Sequence, residues 1–127
     1  MIDYVGTVCL FVTDQDQAKD FYTNILGFEV RQDTLMGESR WLAVAPKGAL
    51  TEVILYKVDS NWEHYKQVVG KSQALTFNVT DMATLAANLK AKGVRFTMEP
   101  EFQPWGSQAI ILDHEGNGLI LVERPTT

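Results

Sequence analysis

The sequence is poor in the groups that usually carry chemistry. It holds one cysteine, Cys9, among 127 residues, so no intrachain disulfide can form. A reducing cytoplasmic compartment is therefore expected. There are two histidines, His64 and His114, to serve as proton shuttles or metal ligands. Lys and Arg number 11 against 16 Asp and Glu, a net charge of -5, and the basic residues are scattered singly. That excludes the basic footprint expected of a protein that works on nucleic acid. The apolar run 8–12 falls far short of the ~18 residues a membrane-spanning helix needs, so no membrane partner is expected. The opening MIDYVG has neither the basic n-region nor the apolar h-region of a secretory signal. A phosphate-cradling loop, a Rossmann fingerprint and a Gly-x-Ser-x-Gly elbow are all missing. Asn78-Val79-Thr80 matches a glycosylation sequon, but inside a strand of a cytoplasmic chain the match is empty.

What is present is one ordinary domain's length, with 46% hydrophobic and 21% charged residues. The mild acidic excess allows a cationic ligand without demanding one. The chain also repeats itself. Val12-Thr13-Asp14 returns as Val79-Thr80-Asp81, 67 residues later, each time between a strand-like run and a helix-like one. Gly27 and Gly93 close the two helical stretches, 66 residues apart. WLAVAPKG (41–48) aligns with AIILDHEG (109–116) at an offset of 68. The spacing predicts one domain of two modules, 1–57 and 73–127, joined by a linker over 58–72.

Periodicity places the elements. Residues 5–12 form a strand. Ala18, Phe21, Tyr22 and Ile25 share one face of a helix over 14–26, capped by Thr13 or Asp14 and stopped at Gly27. Strands follow at 28–33, 40–45 and 51–57. The second module has a strand at 73–80, a helix at 82–92 capped by Asp81, and strands at 94–97, 107–113 and 118–123. The fold class is α+β: two βαβββ modules, helices outside, sheets curving into a cup. Alternation assigns the cup side. Leu75, Phe77 and Val79 belong under the helix; Thr76 and Asn78 face the cup. The same parity turns Thr7, Cys9 and Phe11, then Glu52, Ile54 and Tyr56, then Ile120 and Val122, toward it. Such a mixed surface suits a small molecule.

Three segments carry a family resemblance. Residues 12–30, VTDQDQAKDFYTNILGFEV, read as a strand-to-helix "D…FY…LGF" signature. Pro104-Trp105-Gly106 follows late in the chain, and Asp113-His114-Glu115-Gly116-Asn117-Gly118 resembles a "DPDGN" turn. Together, over nearly the whole chain, they resemble the vicinal oxygen chelate superfamily, the glyoxalase/bleomycin resistance protein/extradiol dioxygenase group. The resemblance implies a divalent metal held in the cup of its enzymes by His and Glu at four strand positions. Those positions fall on Thr7, Ile54, Ala74 and Ile120, none a metal ligand of normal strength. A cofactor is therefore not expected, and metal-dependent isomerisation, ring cleavage, epimerisation and thiol transfer are disfavoured. The resemblance to bleomycin-resistance-type proteins implies sequestration of a small organic compound, cationic or aromatic, such as an antibiotic. The alternatives are a metal-dependent glyoxalase-like lyase or extradiol dioxygenase-like enzyme, and a metal-free enzyme using Glu52 as base. The resemblance also implies a homodimer.

The candidate ligand contacts are Thr7, Glu52, Ile54, Tyr56, Thr76, Asn78, Trp105 and Ile120. Trp105, in the PWG segment at the cup rim, offers a flat indole for stacking or cation–π contact, against a purely structural role in its loop. Glu52 is a carboxylate that must be wet, paired or used. Trp41 reads as core packing. Cys9 reads as inert filler, since no base or cation lies near it in sequence. His114 reads as a solvated turn residue, and His64, with Trp62 and Tyr65, as linker packing rather than a lid.

Overall fold

A computed structural model describes residues 1–57, 69 and 75–124. The chain divides into two compact units, 1–69 and 70–127. The expected linker falls almost entirely outside the described residues.

In the first unit, strand β1 (Thr7–Val12) leads into helix α1 (Gln15–Asp20). Three strands follow: β2 (Glu29–Met36), β3 (Ser39–Ala45) and β4 (Glu52–Lys57). The sheet order is β1-β4-β3-β2, with β1 parallel to β4 and the other pairs antiparallel. Asp14 caps α1 by accepting a hydrogen bond from the Gln17 amide at 3.0 Å, filling one of the orphan donors of a helix start. The predicted single helix is instead two segments. After Asp20 the winding widens into a π-helical turn over Phe21–Ile25, which keeps Phe21 and Tyr22 buried. Gly27, at φ 83°, ends the turn. Gln15 is buried as well: its side-chain amide donates to the carbonyls of Arg40 (3.0 Å) and Leu55 (2.9 Å), tying α1 to β3 and β4.

The second unit repeats the plan. Strand β5 (Leu75–Asn78), helix α2 (Met82–Ala91), and strands β6 (Phe96–Gln103), β7 (Gly106–Leu112) and β8 (Gly118–Glu123) give the order β5-β8-β7-β6, with β5 parallel to β8. Strand β6 outruns the expected 94–97. Pro100 sits within it, where a central strand would lose a ladder hydrogen bond. As an edge strand with register shifts on either side of Met98, β6 accommodates it.

Burial follows the alternation. On the α2 side Leu119, Leu121, Ala109 and Ile111 are buried, while Thr76 and Asn78 on the opposite face are exposed. In the first unit Leu10, Val12, Val53 and Leu55 are buried on the α1 side. Strand β3 departs from the pattern, because Leu42, Ala43, Val44 and Ala45 are all buried, whichever face they take.

Candidate functional site

Register sorts the helix-free face of the first sheet into three rungs. Glu29 pairs with Ala45, and Thr7 with Glu52. Gln32, Ala43, Ile54 and Cys9 form the next rung across all four strands. The third holds two separate pairs, Thr34 with Trp41 and Phe11 with Tyr56; at this level the Gln15 amide, donating to the Arg40 and Leu55 carbonyls, bridges β3 and β4. The expected contacts Thr7, Glu52, Ile54 and Tyr56 thus share one face. Thr7 is exposed, Ile54 is fully buried, and Tyr56 is 38% exposed.

A residue with no sequence signal dominates the first rung. The β2–β3 register shifts between Val30 and Gln32, and Arg31 lies at that bulge. A bulge re-aims a side chain that strict alternation would place elsewhere. The Arg31 guanidinium donates through Nε to Glu29 (2.8 Å) and through Nη2 to the carbonyls of Pro46 (3.1 Å) and Ala49 (2.9 Å). Its Nη1 lies 3.7 Å from Glu52. Glu52 is therefore paired within its own sheet. Cys9 keeps exposed surface, but desolvation on its inner side pushes the thiol pKa up, away from the thiolate a nucleophile needs.

On the opposite, helix-bearing face, Asp33 anchors a surface network. It accepts from Arg40 through both carboxylate oxygens (2.8 and 2.9 Å) and from Lys19 (2.9 Å), while Arg40 also reaches Asp16 (2.7 Å). The Arg40 hydrogen bonds, followed by that of Lys19, hold the Asp33 carboxyl well below the usual range.

The helix-free face of the second sheet is more aliphatic. Thr76, Ile120, Ile110 and Met98 make one rung; Asn78, Val122, Gln108 and Glu101 make the next. Thr76, Asn78 and Ile120 are thus neighbours, and Ile110, Met98, Val122 and Gln108 join them. Ala74, the remaining implied ligand position, lies outside the described residues, as do His64, Trp62 and Tyr65.

Trp105 sits in the turn between β6 and β7, 48% exposed, past the Asn78 end of the sheet. The glycine after it is obligatory. Gly106 has φ 136°, and a Cβ there would lie 2.0 Å from the Glu123 carbonyl oxygen. The Glu123 side chain in turn accepts from the Asp81 and Met82 amides (2.8 and 3.1 Å) and from the Ser107 hydroxyl (3.3 Å). The PWG segment therefore seats β7 against β8, and β8 caps α2.

His114 corrects the expectation of a solvated turn. Asp113, itself buried, accepts from the Glu115 and Asn117 amides (both 2.9 Å) and from the Asn117 side chain (3.0 Å). The turn wraps around that carboxylate, and the His114 and Glu115 side chains are left only 13% and 11% exposed, with Nε2 and Oε1 3.6 Å apart.

Comparison with known proteins decides the family. The model of the glyoxalase/bleomycin resistance protein/dioxygenase superfamily matches residues 2–121. The chain belongs to that superfamily. It is 35% identical to the uncharacterized protein YetH of Bacillus subtilis (strain 168), over 97% of this chain and 100% of YetH. A solved superfamily structure from Sphaerobacter thermophilus DSM 20745 is 34% identical, with a TM-score of 0.86 over 97% of this chain and 98% of that one. TnmS3, an antibiotic binding protein from Streptomyces sp. CB03234, is 33% identical, with a TM-score of 0.85 over 98% of both chains.

The donor chemistry of this superfamily member does not fit the divalent metal of the superfamily's enzymes. Of the implied positions, Thr7 offers a neutral hydroxyl, while Ile54 and Ile120 offer nothing; imidazole or carboxylate is what such ions take. The nearby carboxylate, Glu52, is engaged by Arg31. Among the described residues no three His, Cys, Asp or Glu side chains cluster to hold an ion.

Proposed function

We propose that this superfamily member is a metal-free binding protein that sequesters a small organic compound, cationic or aromatic, by contacts on the helix-free faces of its sheets. The observation that carries the reading is the 33% identity to TnmS3, an antibiotic binding protein, over 98% of both chains. The side chains support it. The implied metal positions carry no competent donor set, while aromatic, aliphatic and amide groups populate the same faces, the mixture small-molecule sites use. Sequestration breaks no bond, so it needs no activated base or nucleophile, and the raised Cys9 thiol pKa and the paired Glu52 are compatible with that. A homodimer acting in the cytoplasm completes the proposal.

Titration calorimetry with bleomycin and with other cationic or aromatic antibiotics tests it. Saturable binding in the micromolar range or tighter is expected, with no turnover of the ligand. Stoichiometric Ni, Zn, Fe or Mn in the purified protein, with glyoxalase or catechol-cleaving turnover, would replace this reading by the enzymatic one. Sedimentation equilibrium reads the dimer.

A further inference from the structure

Resting on that reading, we infer that the second sheet selects a ligand carrying a protonated amine with neighbouring hydroxyls, of the amino-sugar kind, and that Glu101, flanked by Gln108 and Asn78, is the carboxylate that reads it. Strict alternation along β6 would put Glu99 and Glu101 on one face. The structure separates them. Met98 pairs with Ile110 and Glu101 with Gln108, so three steps along β6 match two along β7 and one residue is extra. Glu99 stays on the helix-bearing side, where Lys90 of α2 pairs with it and also lies 5.2 Å from the Phe96 ring centroid. Glu101 is turned to the helix-free face beside Gln108, the re-aiming of a side chain that a bulge achieves.

Each unit thus has a bulged edge strand that delivers one charged side chain. In the first sheet the charge is Arg31, spent within the sheet on Glu29 and Glu52. Glu101 is exposed and meets no such partner: among the described residues it is the one carboxylate on either helix-free face without an ion pair or a side-chain hydrogen bond. The Gln108, Asn78 and Thr76 side chains likewise make no hydrogen bond among the described residues. Glu101, Gln108, Val122 and Asn78 form one rung across four strands, about 14 Å long at the usual ~4.8 Å between strands. The next rung, Met98, Ile110, Ile120 and Thr76, is aliphatic apart from one hydroxyl. Neither rung carries an aromatic ring, so this surface does not stack. It offers a carboxylate and two amide carbonyls to N–H and O–H donors, and amide N–H groups to a hydroxyl, beside an apolar bed. The carboxylate favours an ammonium that still has a proton to donate, through a charge-assisted hydrogen bond, and repels an anion. A saturated amino alcohol meets those terms; a quaternary ammonium has no N–H to give.

Three probes with one ring system isolate the amine: daunorubicin (protonated amino sugar), N-acetyldaunorubicin (the same sugar without the charge) and daunomycinone (no sugar). Calorimetry on the full chain should show daunorubicin binding about tenfold or more tighter than N-acetyldaunorubicin. E101Q, nearly identical in shape, should erase that preference and leave N-acetyldaunorubicin within about twofold. Q108L should weaken both sugar-bearing probes and leave daunomycinone unchanged. E38Q removes a negative charge from the exposed β2–β3 turn and should change nothing. Matched circular dichroism and melting curves check that each variant folds. Equal binding of daunorubicin and its N-acetyl form, a preference that survives E101Q, or sugar-bearing probes indifferent to Q108L would overturn the inference. If bleomycin binds while daunorubicin does not, the amine subsite fails and the sequestration reading stands. If nothing binds, bleomycin included, both fall.

Discussion

Gly106 shows how much one hydrogen atom can hold. Its backbone conformation and the Glu123 carbonyl 2.0 Å from a hypothetical Cβ leave no room for any side chain. Gly106→Ala must move β8 backbone rather than a flexible side-chain tip, so a loss of about 3 kcal/mol or more is expected in urea unfolding. Asp33 makes a different residue-scale case. Its pKa is lowered in the folded chain, chiefly by Arg40. The stabilisation is therefore complete above the ordinary aspartate value of 3.8 and is lost progressively as pH falls below it toward the folded-state value. Asp33→Asn should flatten the acid limb of a stability–pH curve below about pH 4 and leave its slope near neutrality unchanged. Neither feature is legible in the sequence, because both depend on which residue of another element arrives opposite. Arg31 is the sharpest example: a β-bulge aims it at Glu52, and nothing in the local sequence EVRQD announces that bulge.

At the scale of elements, much could be read directly. The Val-Thr-Asp pairs mark both helix starts, and in both the Asp side chain accepts from an amide three residues on. Strand alternation predicted the buried and open sides of β5 and β8, since a period of two leaves no third choice. What sequence patterning missed is long-range. The α2 start receives a second cap from Glu123 on β8, 42 residues from Asp81. Glu123→Ala leaves the Asp81 and Met82 amides without this acceptor. It should cost about 1–2 kcal/mol, read by denaturant melts, with amide exchange speeding in the first turn of α2 before the rest of the helix. The site stood between these limits. Parity gathered Thr7, Glu52, Ile54 and Tyr56, and separately Thr76, Asn78 and Ile120. The edge-to-face contact of Phe11 with Tyr56 needed the cross-strand register, which one strand's pattern does not contain.

For the whole molecule the 67-residue repeat was the most informative signal. It anticipated two βαβββ modules, and the structure adds that both units share one strand order, each closed by a parallel pairing of its first and last strands. Superfamily membership carries an expectation about metal that the residues at Thr7, Ile54 and Ile120 do not meet. Accordingly, dialysis against EDTA should leave both the melting temperature and the affinity for a bound antibiotic unchanged within error, whereas a metal-dependent relative would lose one or both.

The parallel pairing also sets an order of events in folding. Thr7 meets Glu52 only 45 residues later in the chain, and Leu75 meets Leu119 after 44. The β2–β3 and β6–β7 hairpins need only local contacts, while the opening strand of each unit must wait for the last to be made. On a ribosome, each unit's opening strand emerges first and docks last, with alternating apolar side chains and no partner in the interval. Pulse-labelled hydrogen exchange during refolding should accordingly protect β3 and β7 amides before those of β1 and β5.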